Sequence, residues 1–438
     1  MDSSVYWFQP QPSSLEPLRK NVSSEVVVVG GGIAGLTCAD ALSARGIDVT
    51  LVEQAFCGGG ASGTSSGFIT PDSELELSDL TGQFGPSRGQ ALWEFARAGV
   101  ERIRETVSAL RIDCDFQVQD SLLVARSALA FRTVIDLEHR THAALGYQSR
   151  VYDRAALASI LGSPQYHGGV RYDGTFGINA FAYCRALRDA LVRRGVRVFE
   201  ATPAIRLTDT GIETPGGRVT APTVAVLIDH ALPALGLAAR AIYHVRSFLS
   251  ISRPLRDAEI RAIFPEQRVM VWDTGLVYDY FRITGEGRLL MGGADLRSMY
   301  SRNGESARHR IAAQLTHRIE KLFPGVNIQI ERLWSGLIGV SPDFVPIAGR
   351  AGGVPAIYFA GAAAGLPWAT ALGNYLADKI TDGRGELDDV FSPDRPFNAG
   401  HSLQPLIGTP AAFAASHGIL KYRQKARLAI ADGIRFGR

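Results

Sequence analysis

Cysteine, methionine and long apolar runs are scarce in this chain, and each scarcity excludes something. Its four cysteines, Cys38, Cys57, Cys114 and Cys184, are spread through 438 residues without a C-x-x-C pair or a metal-ligand spacing. A disulfide scaffold and a zinc module are therefore not expected, and the plain reading is a reduced, cytoplasmic protein with no metal site. The first 24 residues hold Trp7, three prolines and the positives Arg19 and Lys20, but lack the apolar centre of an export signal. Ala356 to Ala377 is a 22-residue stretch without charge. Its three glycines, Pro367 and Asn374 predict a strand, a turn and a helix instead of a membrane span. Net charge is also small, +3, which argues against a nucleic-acid-coating surface. With 46% hydrophobic and 20% charged residues, the chain is no disordered, collagenous or coiled-coil protein.

Glycine, by contrast, is abundant and clustered. Of 47 glycines, ten lie between Gly30 and Gly67 and eight between Gly336 and Gly373. Such windows suggest backbone approaching a ligand. The run Val26 to Val29 reads as a strand buried on both faces, followed by a helix to Ala44 and a second strand ending at Glu53. Gly58 to Gly67 is too glycine-rich for an element and reads as a loop. In 91–111, Val100, Ile103, Val107 and Leu110 fall on one helical face. Residues 180–194 predict another helix, with the α/β unit resuming after it. Alternating segments between Ala241 and Gly293 predict a largely antiparallel sheet, and Ile311, Leu315, Ile319 and Leu322 mark a helix over 305–323. The first unit is thus discontinuous. From Ala415 onward six Lys or Arg oppose Asp432 alone, a local charge of +5, so the other 414 residues carry −2. This basic end reads as a solvated helix or a weak membrane or partner contact.

The strongest motif is Gly30-x-Gly32-x-x-Gly35, after a strand and opening a helix, with Glu53 18 positions beyond Gly35. Gly30 makes the turn, Gly32 admits a pyrophosphate, and Gly35, with Ile33 and Ala34, lets the helix pack and present its N-terminus to phosphate. Glu53, beside Gln54, suits ribose hydroxyls and repels a 2′-phosphate. The second loop and a third glycine approach, Gly361 to Leu366, fit an extended ligand contacted at several points. No second fingerprint follows a strand, so the electron donor should be the substrate and not a nicotinamide.

VVVVGGGIAGL, LVE, GGGASGTSSGF, DYFRITGEGRLLMGG, LWSGLIGVSPDFVPIAG and IYFAGAAAGLPWATALGNYLADKI occur in this order. Over residues 5–385 they resemble the D-amino-acid oxidase and glycine oxidase superfamily of FAD-dependent oxidoreductases, γ-glutamylputrescine oxidoreductase-like branch. The resemblance implies an α/β, Rossmann-type FAD-binding domain with an inserted α+β substrate domain whose mainly antiparallel sheet covers the flavin. The corresponding division is an arm over 1–24, an FAD domain over 25–90, 150–240 and 330–390, a substrate domain over 91–149 and 241–329, and a tail over 391–438. It also implies that Gly60, Ala61, Ser62, Ser65, Ser66 and Gly67 lie beside the flavin-side phosphate and ring, and Ala204 beside the adenine. Gly361, Gly365, Leu366 and Pro367 would approach the flavin's pyrimidine edge.

Several positions depart from the family pattern: Thr64 to Ser66, Asp229-His230 and GAAAGLPW. No cysteine lies in the last segment and no histidine in Gly58 to Gly67, so noncovalent FAD is expected. Leu289 and Leu290 stand where relatives place an oxygen-activating lysine, which leaves oxygen or another acceptor open. Tyr280 and Arg282, two apart on a strand, would face one side and are candidates to bind a substrate carboxylate. Trp334 and Trp368 are candidates for an apolar amine wall, against the commoner reading of tryptophan as core. His230 is more plausibly a satisfied histidine than a titrating group, and His139, His142, His309 and His317 lack ligand partners at suitable spacing. The expected function is oxidation of an amine or amino acid by hydride transfer to flavin N5, giving an imine that hydrolyses. A membrane-associated dehydrogenase feeding a quinone or carrier, and a low-turnover flavoprotein used in binding or assembly, remain as alternatives.

Overall fold

A computed structural model describes residues 4–8, 15–72, 74–275, 277–293, 304–353, 355–383, 385–397, 404–407, 411–412 and 415–416. The basic stretch from Lys421 to Arg438 lies outside them. Among the described residues no helix is long and apolar enough to cross a membrane. Ala356–Gly361 is a strand that turns into the helix Leu366–Asp382, as the glycines and Pro367 predict.

Val26–Val29 occupies the interior of a six-stranded sheet. The order is Arg197–Phe199, Val49–Val52, Val26–Val29, Thr223–Val226, Ala356–Gly361, Ile347–Ala351, parallel except for the last pair. All four valines are buried. Val26 and Val28 enter the helical core on one face; Val27 and Val29 enter the core on the other, where Leu18, Ile212 and Val219 also pack. Burying each such side chain contributes about 1.5–3 kcal/mol, so the β-branched run fixes the strand from both sides.

The second large sheet has eight strands, in the order Ile330–Val340, Tyr243–Pro254, Arg288–Gly293, Tyr280–Ile283, Met270–Asp273, Ser121–Val124, Gly168–Tyr172, Arg150–Asp153. Only the Met270–Asp273 and Ser121–Val124 pair is parallel. Strand alternation sends Phe281 and Ile283 to one face, against Ile311, Leu315, Ile319 and Leu322 of the helix Gly304–Leu322. Tyr280 and Arg282 take the opposite face.

Four placements differ from the sequence reading. Arg150–Asp153, Gly168–Tyr172 and Ile330–Val340, expected with the dinucleotide sheet, hydrogen-bond into the eight-stranded one because their partners lie there. The helix Pro86–Leu110, expected from residue 91 in the inserted unit, packs its Leu92, Trp93, Val100 and Ile103 into the core of the six-stranded sheet. Leu110 is exposed, since the helix ends there with Arg111 left-handed. Within the Gly58 to Gly67 loop, Ala61–Thr64 forms one helical turn.

The second glycine window is used largely within the protein. A Cβ on Gly373 would lie 2.3 Å from the Ala34 carbonyl oxygen, and one on Gly99 would lie 2.0 Å from that of Pro367. The helix Leu366–Asp382 is therefore held at backbone distance between the helices Ile33–Ala44 and Pro86–Leu110. We expect Gly99→Ala to lower the unfolding free energy by about 1–3 kcal/mol, the usual cost of forcing volume into a packed contact. Urea denaturation of the two proteins checks this, and equal midpoints would contradict it.

Candidate functional site

Two long helices begin without side-chain caps near the ends of parallel strands. Gly30, at φ +109°, turns the chain out of the first strand, and a Cβ on Gly35 would strike the Gly30 carbonyl oxygen at 1.9 Å. Ile33–Ala44 starts at Gly32 with no capping side chain and no acid in its first turn. Leu366–Asp382 starts at Gly365 in the same condition. Unsatisfied N–H groups and the helix dipole make both ends favourable for anionic groups. Ser62 Oγ accepts from the Ile33 N–H at 3.0 Å, so the second loop closes over the first helix end.

Glu53 sits at the end of its strand with both oxygens occupied. They accept from the Gly31 N–H at 2.7 Å and the Ala55 N–H at 2.9 Å. Burial pushes its carboxyl up, opposed by those backbone donors. Gln54 beside it is exposed, and Ala204 packs partly buried behind the neighbouring strands. These residues, with Gly30 to Gly35, form the dinucleotide-type end of the site.

A cavity separates the Ala61 to Glu74 segment from the eight-stranded sheet. Ala61, Thr64, Ser65, Ser66, Gly67, Phe68, Thr70, Asp72 and Glu74 line one side, and Arg246, Ser247, Leu249, Trp272, Tyr278 and Tyr280 the other. Ala364, Gly365 and Leu366 close one end. Ala61, Ser65, Ser66, Gly67, Tyr280, Gly365 and Leu366 are thus brought together as the sequence suggested. Gly60 is exposed and Ser62 is turned to the helix start; neither lines the cavity. Gly361 and Pro367 also lie outside it. A Cβ on Gly361 would meet Leu232 and Asp229, and the Pro367 carbonyl faces Gly99.

Three successive carbonyls of the cavity loop are tied from behind. Trp334 Nε1 donates to the Thr64 oxygen at 3.0 Å, Trp7 Nε1 to the Ser65 oxygen at 2.9 Å, and Arg282 Nε to the Ser66 oxygen at 2.9 Å. This corrects two sequence assignments. Arg282 is fully buried and absent from the lining, its Nη2 held by the Ile178 oxygen at 2.9 Å, so it forms no carboxylate clamp. Trp334 lies in a core with Trp7, Phe181, Leu249 and Leu290, and Trp368 donates to the Pro71 oxygen at 3.0 Å from another core. Neither indole walls the cavity.

Tyr280 does reach the cavity. Its hydroxyl is 2.9 Å from Ser247 Oγ, and burial pushes its pKa up to about 12, so it stays a neutral donor or acceptor. A Cβ on Gly292 would lie 2.0 Å from the Tyr280 ring, so the glycine of RLLMGG makes room for this phenol. Asp229, at φ +49°, accepts from the Gly339 N–H at 2.6 Å and so fastens the two sheets, while His230 lies outside the lining. His142 is buried between Trp93 and Tyr172, 3.0 Å from Glu138.

The acids of Thr70 to Glu76 were missed, although three acids in five residues, Asp72, Glu74 and Glu76, are a visible cluster in the sequence. Thr70 Oγ1 donates to Asp72 at 2.6 Å, Tyr278 to Glu74 at 3.0 Å, and Trp272 Nε1 to Glu76 at 2.8 Å. Asp72 Oδ1 and Glu76 Oε2 are buried without a hydrogen-bond partner, and the two carboxyls act on each other, so the pair disfavours carrying two negative charges. Burial pushes Asp72 up to about 6, and burial together with the Asp72 charge pushes Glu76 well above the carboxylate range.

The sequence pattern of the FAD dependent oxidoreductase (DAO) family matches residues 25–379. The chain is 26% identical to the gamma-glutamylputrescine oxidoreductase of Escherichia coli K12 over 410 residues, covering 91% of this chain and 93% of the relative. Its fold is similar to that of L-proline dehydrogenase from P. horikoshii, with TM-score 0.71, 19% identity and coverage of 85% and 97% of the two chains. It is also similar to glycine oxidase from Geobacillus kaustophilus, with TM-score 0.70, 18% identity and coverage of 86% and 100%.

An acid with a raised folded pKa adds stability that is complete below its unfolded value near about 4 and is lost as pH rises through about 6. Between those values the wild type should lose on the order of 2 kcal/mol that Asp72→Asn does not lose. Unfolding free energies measured across that range test this; parallel curves for the two proteins would contradict it.

Proposed function

The chain belongs to the FAD dependent oxidoreductase family, and from that premise we propose that it oxidises the C–N bond of an amine or amino acid with noncovalently held FAD. The observation that carries the reading is the cavity itself. One wall is the glycine-serine loop from the dinucleotide end, and the other is an aromatic sheet face bearing Trp272, Tyr278 and Tyr280. The residues fit the cofactor: two uncapped helix starts without acids suit its phosphates, and Glu53 stands at the strand end where a ribose hydroxyl acceptor is needed. Bound there, FAD supplies a two-electron acceptor for a hydride from the substrate carbon.

The chain's own residues would bind and position the amine. The aromatic walls exclude water from the C–H bond, and Asp72 with Glu74 favours a cationic amine on entry. Tyr280 and Ser247 offer neutral hydrogen bonds on the sheet side, with Arg246 as the one cation among the described lining residues. The oxidised product, an imine, hydrolyses to a carbonyl compound and an amine. Among the described lining residues there is no cysteine or histidine to bond the flavin, and Cys57 is fully buried with burial pushing its thiol well up. These facts support noncovalent binding.

A second reading concerns the electron acceptor. No lysine is among the described lining residues, and Leu289 and Leu290 are core residues outside the cavity, which favours a quinone or protein carrier over oxygen.

Anaerobic mixing of the FAD-loaded protein with primary amines, secondary amines and amino acids should bleach the visible flavin absorbance with at least one class. Slow return of colour in air is expected if oxygen is not the acceptor. Bound FAD that no amine reduces would overturn the amine reading and favour a role in binding or assembly.

A further inference from the structure

Arg282 is a cation for which the clamp on the cavity loop has no need. The neighbouring carbonyls of Thr64 and Ser65 are held by neutral indole N–H groups, and a neutral donor would serve Ser66 equally well. Yet the guanidinium is completely buried and, among the described residues, has no carboxylate within ion-pair distance. Its Nη1 is buried with no hydrogen-bond partner, and its face lies 5.7 Å from the Trp7 ring. Asp115, the acid that acts on it most, is occupied by the Gly285 N–H at 2.9 Å and Gln117 at 3.2 Å. Burial lowers the Arg282 pKa only to about 10, so the charge persists at neutrality. Backbone packs directly onto it: a Cβ on Gly67 would come within 3.1 Å of Nη2, and one on Gly177 within 2.7 Å of Nη1.

We propose that Arg282 is a positioning residue that also sets the electrostatic potential of the cofactor site, its charge, which no contacting carboxylate neutralises, acting through the Ser66–Gly67 peptide on FAD in the cavity. The assignment rests on the reading that FAD occupies that cavity. Uptake of a hydride brings two electrons and one proton and so adds one negative charge to the flavin. A fixed cation one peptide layer away, in a poorly polarisable interior, favours that charge. It also offsets the acids Asp72 and Glu74 on the same cavity.

The test uses the FAD-loaded protein and two readouts besides turnover: the two-electron midpoint potential, and the affinity for sulfite, whose flavin adduct is anionic. Arg282→Gln should weaken sulfite binding about tenfold and lower the potential by about 30 mV, the equivalent of tenfold for a two-electron couple. Arg282→Lys, which keeps the charge, should stay within about threefold of wild type. Unchanged values in Arg282→Gln, or an equal loss in Arg282→Lys, would overturn the proposal. If Arg282→Gln does not hold FAD, Asp115→Asn decides: removing the opposing charge should tighten sulfite binding and raise the potential, and no shift would overturn the proposal. Wild-type protein that binds no FAD would instead overturn the cofactor reading beneath it.

Discussion

Everything at the site depends on how three consecutive peptides are held. Thr64, Ser65 and Ser66 belong to a glycine-rich segment with little side-chain packing of its own, and such a segment is costly to order. Trp334, Trp7 and Arg282 fix its carbonyls from three distant parts of the chain. Because each peptide is planar and trans, fixing a carbonyl also fixes the N–H of the next residue. The cavity wall is therefore as rigid as the tryptophan core behind it. The N-terminal arm, through Trp7, and the last strand of the sheet, through Trp334, are part of the site although neither side chain touches the cavity.

Local patterns were legible wherever a single element carried the signal. Four β-branched residues in a row read as a doubly buried strand, and the spacing of Ile311, Leu315, Ile319 and Leu322 predicted their helix and its buried face. Gly30, Gly32, Gly35 and Glu53 lie where strand, turn and helix demanded them. Sheet membership was less legible, because Arg150–Asp153 and Gly168–Tyr172 have the composition of either sheet and are assigned only by their hydrogen-bond partners. Arg282 shows the same limit within the site. Its face of the strand followed from alternation, but its depth depended on Gly67 and Gly177 leaving room for a guanidinium beneath two loops. Tryptophan's dual character hid Trp334 and Trp368: an indole anchors by its N–H as readily as it walls a pocket.

The clustered glycines also divide between two duties. Those of the first window turn the chain beneath a helix start and form the cavity loop. In the second window, Gly365 and Gly336 line the cavity, Gly336 against Thr64, whereas Gly373 lets two helices touch. The same contacts that seat the helix Leu366–Asp382 thus set where its uncapped start meets the cavity. Charge is likewise placed on both sides of the loop, with Asp72, Glu74 and Arg246 lining the cavity and Arg282 buried behind. Charge on either side of one thin wall is an arrangement suited to a reaction in which a cationic amine gives up a proton and then a hydride.

A crystal structure of the chain with FAD and an unreactive amine tests this account most directly. The account predicts the isoalloxazine ring against Ser65 to Gly67, its end beside Gly365 and Leu366, with the amine between the ring and the wall of Trp272, Tyr278 and Tyr280. A ring bound outside that cavity, or an amine on the far side of the loop from Asp72, would contradict it.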